Sequence, residues 1–111
     1  MKVIEAKGDR RWKVVFKDSD KWLCGIYVPE FRSREEITFF EKHDGPEMFT
    51  LIDGKVTLVL RDERGREQRV PLSKRKLVVV DEWHNAYRPK GAKGIALVIE
   101  RVGNKTWKRK A

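Results

Sequence analysis

The chain has 111 residues, of which 40% are hydrophobic and 39% charged, and its formal net charge is +9. That length supports one hydrophobic core and leaves no room for two full domains. The apolar residues are spread along the whole chain, which argues against disorder, and no run of about 18 apolar residues is present to span a bilayer. Cys24 is the only cysteine, so no internal disulfide can form. The first eleven residues hold no apolar stretch of signal-peptide length, and the expected compartment is the cytoplasm. The excess of Lys, Arg and Glu over amides is the profile of a heat-adapted protein.

Short apolar runs recur between turn signals, mostly with a period of two, which predicts strands. In chain order they fall at residues 3–5, 12–16, 22–28, 37–43, 48–52, 56–61, 67–70, 76–80, 85–88 and 95–102. Ser33-Arg34-Glu35-Glu36 offers a capping serine but too few residues to hold a helix alone, so it reads as a loop. Asp53-Gly54 signals a hairpin between apolar runs, and Asp62-Glu63-Arg64-Gly65 signals a polar tip joining two further strands. Pro29, Gly45-Pro46 and Pro71 sit at strand ends, where a missing N–H does least harm. Residues 103–111 carry Lys105, Lys108, Arg109 and Lys110 and read as a basic tail. The expectation is a single all-β domain over 1–111, with its barrel over about residues 12–102.

The most informative stretch is FFEKHDGPEMFTLIDG, from Phe39 to Gly54. Three residues separate His43 from Glu47, and six separate Glu47 from Gly54. A second stretch, LVVVDEWHNAYRPKG, contains His84, the only other histidine. These two segments resemble the paired motifs of the cupins, whose first motif carries two histidines, a glutamate and a glycine, and whose second supplies another histidine. The resemblance covers roughly residues 37–99 and implies a cupin-type double-stranded β-helix, a jelly-roll barrel. It departs from the family pattern in three places. Glu41 stands where the first histidine usually is, Val79 and Asp81 replace a proline and a glycine, and Arg88 replaces an asparagine. The resemblance also implies a homodimer and a small-molecule ligand.

Glu41 and His43 are two apart on one strand, so their side chains share a face. Glu47, beyond the Asp44-Gly45-Pro46 bend, can return to that face, and His84 would join them from another strand. Two imidazoles and two carboxylates suit Fe(II), Mn(II), Ni(II) or Zn(II), and the expected metal ligands are Glu41, His43, Glu47 and His84. The same residues also fit a metal-free pocket in which a histidine and a carboxylate form an ion pair.

Candidate proton carriers are Glu41, Glu47 and Tyr87, although Tyr87 is out of phase with His84 and would face away in a regular strand. Arg88 is in phase with His84 and offers a forked donor to an anionic ligand, while Phe39 and Phe49 are expected to line the pocket. The leading expectation is a protein that binds a divalent metal and a small polar or anionic molecule, with or without turnover as an isomerase, an oxygenase or similar. A non-catalytic ligand sensor and a metal-free, epimerase-like cupin are the alternatives. Nucleic-acid binding through the basic surface has one weak signal, the interleaved run from Lys105 to Lys110 with Trp107 within it.

Overall fold

Alternating inward and outward side chains build ten strands in the computed structural model, which describes residues 1–111. They are β1 (Trp12–Asp18), β2 (Trp22–Tyr27), β3 (Phe39–His43), β4 (Glu47–Gly54), β5 (Thr57–Arg61), β6 (Glu67–Pro71), β7 (Val78–Val80), β8 (Trp83–Tyr87), β9 (Gly94–Arg101) and β10 (Thr106–Lys110). One five-stranded sheet runs β1-β2-β9-β4-β7 and the other runs β10-β3-β8-β5-β6. Every paired neighbour is antiparallel. Consecutive strands repeatedly belong to opposite sheets, which is the jelly-roll arrangement. No helix is long and apolar enough to cross a membrane.

The main core lies between the sheets, where Phe49, Val56, Leu58, Val80, Ala96 and Val98 are all buried. A second cluster sits on the far side of the second sheet. Phe40 is fully buried there with Ile37, Val59 and Trp83, and Phe31 and Tyr87 pack against them. Arginines roof this cluster, with the Arg61 guanidinium 4.2 Å from the Phe40 ring centre. Glu67 locks that roof by accepting from Arg34 at 2.7 and 2.6 Å and from Arg61 at 2.6 Å. Those two guanidinium groups hold its carboxyl at about 2.

Four expectations change. Asp53-Gly54 is a corner and not a hairpin, because β4 and β5 belong to different sheets. Gly54 has φ +70°, any Cβ there would overlap the Lys93 carbonyl, and Lys55 N donates to that carbonyl at 2.8 Å. The turn therefore carries the chain from one sheet to the other. Within residues 103–111, Thr106–Lys110 form β10 instead of a tail. Their backbone pairs with all of β3, and the charged side chains lie over aromatic rings, with Lys108 5.0 Å from Phe39 and Arg109 4.3 Å from Trp83. Residues 34–36 make one turn of 3-10 helix, capped by the Ser33 hydroxyl, which accepts from Glu36 N at 3.3 Å. Residues 3–5 join no sheet. The tip at Asp62–Gly65 does join paired strands, β5 and β6, with Gly65 at φ +80°.

Phe40 stands back to back with Glu41 on β3, so its packing holds that strand in place. Phe40→Ala is expected to lower the unfolding free energy by about 3–5 kcal/mol in urea denaturation.

Candidate metal centre

Strand alternation delivers the cluster. On β3, Phe39, Glu41 and His43 face the space between the sheets, while Phe40 faces the second core. The single paired position between β3 and β8 sets Glu41 opposite His84. On β4, Glu47 and Phe49 point inward, and β9 adds Val98 and Glu100. Together these residues line a cavity of about 230 Å³ between the two sheets.

At its centre Glu47 is only 6% exposed. Its Oε1 lies 2.8 Å from His43 Nε2 and 2.9 Å from His84 Nε2. At these short distances neither N–H direction meets the oxygen, and Oε1 has no hydrogen-bond partner. The other ring nitrogens explain why. His84 Nδ1 is 2.9 Å from the carbonyl of Glu82, which can only accept, so the ring proton sits on Nδ1. In the neutral ring Nε2 then carries no proton to offer the nearby carboxylate oxygen, and only a cation or an added proton makes the close contact attractive. His43 Nδ1 is likewise engaged, 2.9 Å from Thr106 Oγ1. A ring nitrogen held from behind and a free Nε2 in front is the usual state of a metal-binding imidazole.

Titration behaviour follows the same geometry. Burial pushes the Glu47 carboxyl up, but the two imidazoles beside it outweigh burial and hold it at about 2. Glu47 in turn raises His43 above its ordinary value of 6.5. Glu100 is pushed up to about 7, first by burial and then by the charge of Glu47. The Tyr27 hydroxyl, also on the cavity wall, is raised well above its ordinary range by burial and then by Glu41.

The donor set suits a divalent ion. One donor atom from each of Glu41, His43 and His84 lies within 4.8 Å of the other two, and so does one from each of His43, Glu47 and Glu100. The buried oxygen without a partner lies where a cation would complete it.

Phe39 and Phe49 line the cavity, with the Phe49 ring edge-on to His84 at 5.9 Å. Tyr87 and Arg88 do not line it. Tyr87 packs against the second core, as its phase implies. Arg88 is spent on backbone, donating to the carbonyls of Pro29 at 2.8 Å, Gly91 at 3.2 Å and Ala92 at 2.9 Å. Sequence reasoning missed Glu100, Thr106, Tyr27 and Arg11, all of which line the cavity. Glu100 had a signal, an acidic residue in phase with Ala96 and Val98 on an otherwise apolar strand. Thr106 had none, because its strand read as a tail.

Neither a protein-family model nor a curated protein matches this chain. Solved structures do. A cupin-2 domain protein from Shewanella frigidimarina is 19% identical over 81% of this chain and 78% of its own, with a TM-score of 0.58. The polyketide cyclase RemF from Streptomyces resistomycificus is 14% identical over 90% of this chain and 69% of its own, with a TM-score of 0.61. The iron(II) form of HppE, solved with an alternative substrate, is 17% identical over 72% of this chain, with a TM-score of 0.55, and this chain covers 40% of it. These likenesses establish the cupin fold.

Replacing the Glu47 carboxylate should remove the cause of the His43 shift. In metal-free protein, Glu47→Gln is expected to return His43 toward 6.5 in an NMR titration of its ring protons. His43 is raised, so its contribution to stability is complete below 6.5 and is lost as pH rises through the folded value. Glu47 is lowered, so its contribution is present above 4.5 and is lost as pH falls toward about 2. Glu100 is raised to about 7, so its contribution is complete below 4.5 and is lost as pH rises toward 7. Metal-free wild type should therefore be most stable near 4.5, and the variant should lack that maximum in thermal melts.

Proposed function

We propose that this cupin-fold chain holds a divalent metal ion on Glu41, His43, Glu47 and His84, and binds a small polar molecule in the cavity beside it. The observation that carries the reading is Glu47 Oε1, buried without a hydrogen bond and facing two imidazole nitrogens at 2.8 and 2.9 Å. A structural ion pair would align its N–H groups on that oxygen. Here both imidazole nitrogens approach that oxygen without such alignment, which supports a shared ion over an ion pair.

Nitrogen and oxygen donors without a thiolate favour Fe(II), Mn(II), Ni(II) or Zn(II). The iron(II) state of HppE, a protein of the same fold, supports this choice. A bound ion supplies Lewis acidity, polarising an oxygen of whatever molecule lies against it. The chain's own residues do the rest. The Glu82 carbonyl and Thr106 hydroxyl orient the two imidazoles, and Phe39, Phe49, Leu58 and Val98 form the apolar wall. Arg11 is the one arginine on the lining and gives an anionic group a partner. A volume of about 230 Å³ lies below the usual range for drug-sized ligands, so the molecule is small.

Metal content per chain tests the reading. Protein purified without an affinity tag and incubated with Fe(II), Mn(II), Ni(II) or Zn(II) is expected to hold close to one ion, lost in the His43→Ala, His84→Ala double variant. Absence of metal from wild type under every condition would sink the proposal. Because His43 is raised above 6.5, protons compete with the ion, and affinity is expected to fall as pH drops through that region. Thr106→Val removes the group behind His43 Nδ1 and should weaken metal binding by about 10–100-fold in a calorimetric titration.

A further inference from the structure

Glu100 has no place in the four-residue set, yet the β4–β9 ladder puts it directly opposite Glu47. On β9 the inward row runs Ala96, Val98, Glu100, with the first two essentially fully buried and Glu100 partly so. A carboxylate ending an apolar inward row, face to face with a second carboxylate, is destabilising unless a shared proton or a cation lies between them. No lysine or arginine does this for Glu100. The basic group beside it is the His43 imidazole, one nitrogen of which lies within 4.8 Å of an oxygen of Glu100 and of one of Glu47.

We propose that Glu100 is a fifth protein ligand of the ion, delivered from the sheet opposite the histidines. This rests on the metal-binding reading above and names a donor that the reading lacks. One oxygen of Glu100, one of Glu47 and one nitrogen of His43 lie within 4.8 Å of one another. Metal–donor bonds of about 2.0–2.2 Å place two donors on one ion up to about 4.4 Å apart, so a small side-chain adjustment closes the set. Glu47 supplies the independent sign of a ligand, a side chain more than nine-tenths buried whose Oε1 is unpartnered.

Two consequences follow. Glu41, His43 and His84 belong to one sheet and Glu47 and Glu100 to the other, so the ion ties the two layers together. Three carboxylates and two imidazoles form an oxygen-rich set that suits Mn(II) and Fe(II) better than softer ions. On a six-coordinate ion it leaves one position for an external ligand.

The test compares Mn(II) affinity and the Co(II) visible absorption of wild type, Glu100→Gln and Glu100→Asp, with circular dichroism confirming that each is folded. Glu100→Gln is expected to lose affinity by about tenfold or more. Its Co(II) bands should intensify, as they do when coordination number falls. Glu100→Asp, which keeps the charge but shortens the reach, should move both readouts in the same direction by less and stands in if the glutamine variant does not fold. Unchanged affinity in Glu100→Gln overturns the proposal while leaving the four-residue site intact. So does lost affinity with an unchanged Co(II) spectrum, since the effect is then one of charge alone. Wild type that binds neither ion overturns this proposal together with the reading it rests on.

Discussion

A carboxylate buried between two apolar sheets costs several kcal/mol unless positive charge reaches it, and Glu47 imposes that constraint on the whole molecule. Its side chain lies inside, within the row of β4 that also buries Phe49, and no lysine or arginine pairs with it. The compensating groups must come from across the gap. They do, from β3 and β8, whose single paired position sets Glu41 beside His84 and so brings His43 and His84 together over one oxygen. Removing His43, whose hold on a proton Glu47 strengthens, would leave the charge less compensated, so the cluster is bound to the core energetically as well as spatially.

The strands that carry the histidines are held from behind. Phe40, Val59 and Trp83 form a second core on the outer side of their sheet, roofed by Arg61 and by the Arg34–Glu67 pair. Both faces of β3 and β8 are therefore packed, and a donor on such a strand moves little, which is what a preorganised ion site requires. β10 completes the arrangement by pairing with β3 and presenting Thr106 to His43. A segment of five exposed residues thus orients an imidazole inside the barrel.

Charge is distributed in two opposed ways. The chain as a whole carries +9, yet Glu30, Glu41, Glu47 and Glu100 line one cavity in which Arg11 is the only arginine. A positive exterior draws small anions toward the surface, while the acidic lining of the cavity favours a cation, as the proposed ion site requires. The proposed ion would reconcile the two, because on the carboxylates it would convert the inner end of the cavity into a point of positive charge.

Period-two patterning and turn residues made the strands and the all-β class legible in the sequence, and the spacing from Phe39 to Gly54 did so for Glu41, His43 and Glu47, because these depend on local alternation and on residues close along the chain, whereas His84 was reached through the resemblance of its stretch to a cupin motif. Two of the signals misled. Asp53-Gly54 reads as a hairpin from its residue types alone, since the same positive φ serves a corner between sheets, and only the β4–β9 pairing distinguishes the two. The Lys and Arg of residues 105–110 read as a tail because charge density hides a strand whose partner lies more than sixty residues earlier. Which residues meet in the cavity is a matter of register between distant strands. Alternation fixes the face on which a side chain lies but not its partner, so tertiary structure alone set Glu100 opposite Glu47, Thr106 behind His43, and Arg88 against backbone carbonyls away from the cavity.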